Sequence, residues 1–291
     1  MALRINTNIS SLQAQRALEK NTLSTQSSFE KLSSGLRINK AADDAAGLAV
    51  SETLNAKIRG LDQAKRNAND AISLVQVAEG SMSEMSNILT RMRELTVQAA
   101  SDTIGDKERS FLNKEYTQLV EEFDRIANTT EFNGMALFNN NERSEFAIQV
   151  GINSSKAADN KDVISIKTDG LKLSSTSLGF GKGAEIGPVD PTGTGPARDV
   201  IASRLDTIDS AMDALSTQRA YLGATQNRLE SAISNLGVSI ENSAAAKSRI
   251  VDTDYAAETA KLTQSQIVSQ ASISVLAQAN SNAQSVLTLL K

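Results

Sequence analysis

The sequence predicts a mainly α protein: an elongated, discontinuous helical bundle of coiled-coil type, built from both chain halves, with a small β-hairpin and paired N- and C-terminal helices. Three observations predict it. Apolar residues recur at heptad spacing over two long stretches, residues 54–89 and 201–240. All three prolines, Pro188, Pro191 and Pro196, fall within nine residues, so 187 residues before them and 95 after are free of the strongest helix breaker. Seven Phe, three Tyr and no Trp are too few large side chains for two ordinary globular cores in 291 residues, so burial must come from Leu, Ile, Val, Met and Ala in narrow seams.

In the first arm, Ile5, Ile9 and Leu12, then Leu18, Phe29, Leu32 and Leu36, predict a helix whose apolar stripe shifts partway along. Residues 1–42 hold six Lys or Arg against two Glu, which reads as a solvated or interfacial face more readily than as a membrane-surface patch. The helix should break around Gly35 and Ala41 to Gly47. Asp43 and Asp44 could be taken for paired catalytic carboxylates, but no base, metal ligand or nucleophile accompanies them, and Asp ahead of an apolar-periodic run is an N-cap.

From there Leu54, Ile58, Leu61, Lys65, Ala68, Ile72, Val75, Glu79, Met82, Ser86 and Leu89 alternate steps of four and three, the direct signature of a heptad seam. Gly105 should end this helix, with Asp106 capping a second that carries Leu112, Tyr116, Leu119, Phe123 and Ile126, which makes an antiparallel hairpin. Asn133-Gly134 and Asn139 to Asn141 are turn formers, and the alternating runs Phe146 to Val150 and Val163 to Lys167 predict the β-hairpin. Residues 172–196 are rich in Ser, Thr, Gly and Pro and predict a surface loop. Gly179 to Gly183 lacks the spacing of a phosphate-binding loop.

The second arm carries the clearest repeat: Ile201, Leu205, Ile208, Met212, Leu215, Arg219, Leu222, Gln226, Leu229, Ile233, Leu236 and Ile240. This helix must pack along the first-arm hairpin. Arg219 and Gln226, with Lys65 and Glu79 opposite, are candidates for setting register.

The last stretch, Leu262 to Leu290, has no charge, glycine or proline: 14 of its 29 residues are apolar and 15 are Ser, Thr, Gln or Asn. That is long enough to cross a bilayer but too polar to do so. Val268, Ala271, Val275, Ala279, Ala283, Val286 and Leu290 lie at helical spacing, so the alternative of a Ser-rich disordered tail is set against a helix enclosed by other helices. One chain hardly supplies enough of them. The two terminal helices are expected to be largely disordered in a monomer and to order on assembly. Repeating one head-to-tail contact without ring closure gives an open helical polymer.

With no cysteine there is no disulfide framework, and with no histidine the usual general base and the commonest zinc ligand are missing. A formal net charge of −4 does not indicate a general affinity for nucleic acid. No cofactor or metal is expected, and an enzyme is the least expected class. Met1 to Asn8 lacks an apolar run of signal-peptide length, so export would use a route that reads no cleavable signal.

The residues also resemble a family. Met1-Ala-Leu-Arg-Ile-Asn-Thr-Asn8, Leu32-Ser-Ser-Gly-Leu-Arg-Ile-Asn39, Ala41-Ala-Asp-Asp-Ala-Ala-Gly47, Phe132-Asn-Gly134, Ser248-Arg-Ile250 and Ser274-Val-Leu-Ala-Gln-Ala-Asn280 are similar to bacterial flagellins over residues 1–150 and 200–291. The resemblance implies a structural subunit that self-assembles into the flagellar filament for swimming and is exported unfolded by the flagellar type III apparatus. It implies terminal helices, residues 1–42 and 253–291, forming an inner filament core whose contact residues would include Ile5, Ile9, Leu12, Val268, Val275, Leu276, Val286 and Leu290. Residues 43–171 and 197–252 would be the outer-tube bundle, seamed by Leu54, Ile58, Leu61, Ile72, Val75, Leu205, Ile208, Leu215, Leu222, Leu229, Ile233 and Leu236. Residues 172–196 would stand in place of the large outer domains of longer members.

Implied partners are other copies of the chain, an export chaperone over the C-terminal segment, the filament cap and the hook-junction proteins. No nucleic acid and no membrane insertion are implied. Arg91-Met-Arg-Glu-Leu-Thr-Val-Gln98 matches the segment of flagellins sensed by a host Toll-like receptor, which would make Arg91, Leu95 and Glu115 the receptor-contacting set; the alternative is that these charges serve subunit packing. The rival readings of the whole chain are a hook–filament junction protein and a secreted membrane-active coiled coil.

Overall fold

The computed structural model of the chain describes residues 8–139, 145–153, 161–167, 172–181, 186–187 and 197–288. The element order is α1 (Ile9–Ser34), α2 (Ala45–Ala99), α3 (Asp106–Thr129), β1 (Glu131–Phe132), β2 (Met135–Ala136), β3 (Glu145–Gln149), β4 (Val163–Lys167), α4 (Ala197–Val251) and α5 (Tyr255–Thr288). Two compact units result: Met1–Ile58 with Glu241–Lys291, and Arg59–Ile240.

In the 59–240 unit the expected heptad seam is present with one of its two α2 rows displaced. Leu61, Ala68, Val75, Met82 and Leu89 are buried as the spacing predicts. The second buried row is Ala64, Ala71, Ala78, Met85, Met92 and Ala99, while Lys65, Ile72, Glu79 and Ser86 are only half-buried. Alanine scores weakly in a hydrophobicity pattern, yet Ala71 clusters with Leu229 and Ala64 with Leu236, so the buried row follows the facing helix and not side-chain size. On α4 one heptad row, Ile201, Ile208, Leu215, Leu222, Leu229 and Leu236, is buried; Leu205 and Ile233 are half-buried flanks. Of the polar seam residues, Arg219 and Glu79 approach within 3.9 Å across the two helices, whereas Gln226 bonds Glu230 on its own helix.

Helix α3 begins one residue earlier than the sequence suggested. Gly105 is the N-cap and Asp106 the first helical residue, because Arg109 N–H already reaches the Gly105 carbonyl at 3.0 Å. The Arg109 guanidinium is buried and donates back to the carbonyls of Ala99 and Ser101 at 3.1 and 3.2 Å, closing the C-terminus of α2. Asn133 and Gly134 both hold positive φ, 52° and 73°, the backbone a two-residue hairpin needs between β1 and β2. Strands β3 and β4 pair antiparallel, Phe146 opposite Ile166 and Ile148 opposite Ile164. Two polar ties hold this hairpin: Asn67 Nδ2 on α2 donates to the Gln149 carbonyl at 3.1 Å, and the Tyr221 hydroxyl on α4 accepts from Lys167 N–H at 3.1 Å.

The expected surface loop at 172–196 is corrected over its described part, which is a strap packed into the core. Leu173, Ser175, Phe180 and Ile186 are buried. Asp124 on α3 accepts from both the backbone and the hydroxyl of Ser175 at 2.8 and 2.6 Å, Asn113 accepts from Ile186 N–H at 2.9 Å, and the Phe180 ring meets Phe123 edge-on with centroids 5.0 Å apart. Ser- and Gly-rich composition marks irregular backbone, not exposure; a carboxylate that satisfies that backbone is enough to bury it. The three prolines lie outside the described residues.

In the other unit α1 is one continuous helix, capped by Asn8 and ended by Gly35 in the left-handed conformation, φ 70°. A short clasp follows, in which Arg37 N–H donates to the Val251 carbonyl at 2.6 Å and Thr253 N–H to the Gly35 carbonyl at 3.0 Å. The Arg37 guanidinium donates twice to the Ile250 carbonyl, at 3.2 and 2.6 Å, capping α4. Asp44 does cap α2, accepting from Gly47 N–H at 2.9 Å. Asp43 closes the preceding turn on the N–H groups of Asn39 and Lys40, which hold its carboxyl below the ordinary carboxylate range. Asp254 caps α5 through Ala256 and Ala257 N–H, a signal present in the sequence but not read from it. The unit extends beyond the expected boundaries at 42 and 253 because the first turns of α2 and the last of α4 pack together: Ser51 and Ser243 are buried, and Lys247 Nζ donates to Asn55 at 3.2 Å.

Candidate assembly surface

Helices α1 and α5 run antiparallel, and the face each turns to the other mixes leucines with small and polar side chains. On α1 it consists of Ser11, Ala14, Leu18, Asn21, Thr25, Ser28 and Leu32; on α5 of Glu258, Leu262, Ser265, Ser269, Ser272, Leu276 and Ala279, all buried or half-buried. Five hydrogen-bonded contacts cross the pair, one of them from the Tyr255 hydroxyl to the Leu32 carbonyl at 3.2 Å. Asn8 Nδ2 donates to the Ala279 carbonyl at 2.9 Å, Ser11 Oγ to Asn280 Oδ1 at 2.9 Å and Asn21 Nδ2 to Ser272 Oγ at 3.3 Å, while the Ser24 and Ser265 hydroxyls meet at 3.4 Å.

Leu18, Leu32, Leu262 and Leu276 lie in this face, but other large apolar residues point elsewhere. Ile9, Leu12, Leu23, Ile267, Val268, Ile273 and Val275 are 40–65% exposed. At 100° per residue, Ile9, Leu12 and Leu23 lie on the far side of α1, Ile267 on the far side of α5, and Val268 with Val275 on its flank. The stripe Val268, Ala271, Val275 read from the sequence therefore exists as a helix face but is not the face that α1 covers. Leu276 is half-buried in the pair and Ala279 with it. Of the other expected core residues, Ile5 and Leu290 lie outside the described residues, and only the backbone is described at Ala283 and Val286. On α5, which carries no charge after Lys261, apolar side chains turned outward leave a surface that water solvates badly, whereas on α1 Arg16, Glu19 and Lys20 share the outward side.

On the 59–240 unit, Arg91 bridges two carboxylates, Glu94 at 3.0 Å and Glu115 at 2.7 Å, and all three are about half-exposed. Leu95 does not share that surface: it is 1% exposed and belongs to the core. Position 95 falls on the buried side of α2, whereas 91, 94 and 98 fall on the solvent side. Arg93 pairs with Asp209 of α4 at 2.7 Å, and that hydrogen bond holds the Asp209 carboxyl below its ordinary range. These are exposed pairs that contribute little to stability.

Nothing among the described residues has the form of a catalytic or metal centre: no group of His, Cys, Asp or Glu is placed to hold a metal ion, and no helix is long and apolar enough to cross a membrane. Among the described residues the one strongly shifted group is Tyr116, whose buried hydroxyl is pushed up to about 12 by desolvation, against the opposing charge of Arg204. Since the folded state keeps its proton where the unfolded state has lost it, folding stability should be intact below about pH 10 and fall between about pH 10 and 12. The phenolic absorbance change that Tyr116→Phe removes should come above about pH 10 and together with unfolding; its completion well before unfolding would contradict the buried placement.

Against known proteins, residues 5–143 match the bacterial flagellin N-terminal helical region and residues 205–290 the bacterial flagellin C-terminal helical region. The chain is 45% identical over 287 residues to a flagellin of Halalkalibacterium halodurans, covering 99% of each, and 40% identical over 305 residues to the flagellin of Bacillus subtilis (strain 168), covering 99% of this chain and 100% of that one. Among solved structures, a putative flagellar hook-associated protein from Vibrio parahaemolyticus shares the fold, with TM-score 0.58 at 14% identity over 72% of this chain and 100% of the other.

Proposed function

The chain belongs to the bacterial flagellin family, and from that premise we propose that the outward faces of α1 and α5 are the surfaces through which copies enclose one another in the core of the filament. The protein is a structural subunit of the extracellular flagellar filament used for swimming; its family is structural rather than enzymatic. The observation that carries the proposal is the set of large apolar side chains the terminal pair leaves uncovered, Ile9, Leu12, Leu23, Ile267, Val268 and Val275. Burying a Leu, Ile or Val fully contributes about 1.5–3 kcal/mol each, so only neighbouring copies can realise most of what these helices have to offer.

In this reading the terminal helices form the inner tube, the helices and hairpin of the 59–240 unit the outer one, and the 172–196 segment stands where longer flagellins carry outer domains. The export chaperone would cover the apolar side of α5 before secretion, and cap and hook-junction proteins would meet the same faces at the filament ends. Host Toll-like receptor contact would fall on Arg91, Glu94 and Glu115, with Leu95 supporting that turn of α2 from beneath. Purified chain shifted into polymerising salt should give long fibres of uniform diameter by electron microscopy. A chain that stays dispersed at every concentration and salt would defeat the proposal.

A further inference from the structure

The β1/β2 turn carries a reactive pair that its own fold holds in check. Asn133-Gly134 is the one Asn-Gly pair in the chain. A two-residue hairpin loop needs positive φ at both central positions, which Asn and Gly adopt at the lowest cost, and the pair does so at 52° and 73°. The same pair is the one most open to self-modification. In an Asn-Gly sequence the glycine backbone nitrogen attacks the asparagine side-chain Cγ: a five-membered succinimide forms, the Cγ–Nδ2 bond breaks and ammonia leaves. Water then opens the ring at either carbonyl and gives Asp or an isoaspartyl linkage. Glycine permits this because no Cβ crowds the closing ring. Asn133 and Gly134 are both exposed, and the space beside the Gly134 Cα is open to 4 Å, so access does not limit the reaction.

Geometry limits it instead. Ring closure needs the Gly134 nitrogen nearly eclipsed with the Asn133 Cβ about the Cα–C bond. A type I′ turn, the mirror image of type I, sets ψ of its first central residue at about +30°, which leaves that nitrogen roughly 150° of torsion from Cβ. The reacting atoms are nearly opposed, and turning ψ to bring them together breaks the pairing of Phe132 with Met135 across the turn. We propose that Asn133 is a deamidation site gated by the hairpin: the ring closes only in chains whose β1/β2 turn has opened, so the modification accumulates as a record of time spent open.

The gate is short but anchored. Strands β1 and β2 have two residues each, too few to hold a turn on their own. What holds it is the segment beside them. Leu137 and Phe138 are each 1% exposed, Leu137 N–H donates to the Thr130 carbonyl at 3.1 Å, and the Thr130 hydroxyl meets Ser81 Oγ on α2 at 3.2 Å. The turn therefore opens when those core residues withdraw, a local event short of global unfolding. The isoaspartyl product cannot return: it routes the backbone through the former side chain and lengthens the loop by one methylene, which a two-residue turn does not accommodate.

The test uses the full chain, incubated at mildly alkaline pH as the folded protein, across a urea series short of unfolding, and in full denaturant. Loss of the Asn133 amide is read by peptide mass spectrometry with fragmentation that separates Asp from isoaspartate, and opening of the hairpin by hydrogen exchange at Leu137. In denaturant Asn133 should be the first asparagine modified. In the folded chain the same loss should be at least about tenfold slower and should rise with urea in step with exchange at Leu137. Leu137→Ala, which removes the buried anchor, should speed the folded-state reaction by about tenfold or more and leave the denatured rate unchanged. Equal rates in folded and denatured chain overturn the gate. So does a folded-state rate that stays flat while Leu137 exchange rises, or one that Leu137→Ala leaves unchanged. Another asparagine reacting first in denaturant refutes the site itself. If Leu137→Ala unfolds the unit, the urea series on the parent decides.

Discussion

A chain carrying Val275→Asp should remain folded in its 59–240 unit and fail to polymerise. Val275 is 59% exposed on the flank of α5 and touches no face that α1 covers, so a carboxylate there costs the isolated chain almost nothing. Enclosed by neighbouring copies, the same carboxylate has no cation on α5 within reach, since Leu262 to Leu290 contains none. An uncompensated charge in a closed interface costs about 3–5 kcal/mol, which raises the critical concentration by roughly two to three orders of magnitude. Leu276→Asp separates the two roles of the helix. Leu276 is half-buried against α1, so that replacement should damage the pair itself and lower helicity as well as polymerisation. Circular dichroism with sedimentation of the polymer reads both; fibres of normal length from Val275→Asp would end the enclosed-helix account.

Replacing Phe123 by Ala should be the most destabilising single change in the 59–240 unit that leaves the terminal helices untouched. The ring is fully buried, stands edge-on to Phe180 and sits one residue before Asp124, the carboxylate that anchors the strap through Ser175. Deleting a buried Phe removes its transfer energy and leaves a cavity, about 3–5 kcal/mol in total. For a unit of this size that lowers the melting temperature by about 10 °C. Residues 172–187 should become the first site of limited proteolysis, because the strap loses its aromatic anchor while Asp124 retains only part of its support. A shift below a degree or two, with the strap still protected, would show that the segment is not docked on α3.

How far these features were legible in the sequence differs element by element. The heptad rows of α2 and α4, the breaks at Gly35 and Gly105, the Asn133-Gly134 turn and the β3/β4 alternation all follow from local spacing and backbone preference, which a linear pattern records. The displaced α2 row was harder to read, because Ala64 and Ala71 are buried by the α4 leucines they cluster with, a property of the pair and not of the residue. The strap was missed for a similar reason. Nothing in Ser174-Ser175-Thr176 indicates that Asp124, some fifty positions earlier, supplies the acceptor that makes burial tolerable. No local pattern singles out Arg109 or Arg37, yet each closes a helix end through carbonyls that only the fold brings within reach.

The sequence by itself determined that α5 would be a charge-free helix with an apolar face, and that the chain would be built from long seams and not from globular cores. Periodicity and composition are properties of consecutive residues, and they sufficed. The tertiary structure decided which way that helix turns. The face that α5 turns to α1 brings together residues some 250 positions apart, Asn21 with Ser272 and Ser24 with Ser265, and no linear pattern records such a pairing. Val268 and Val275 are left on its open flank.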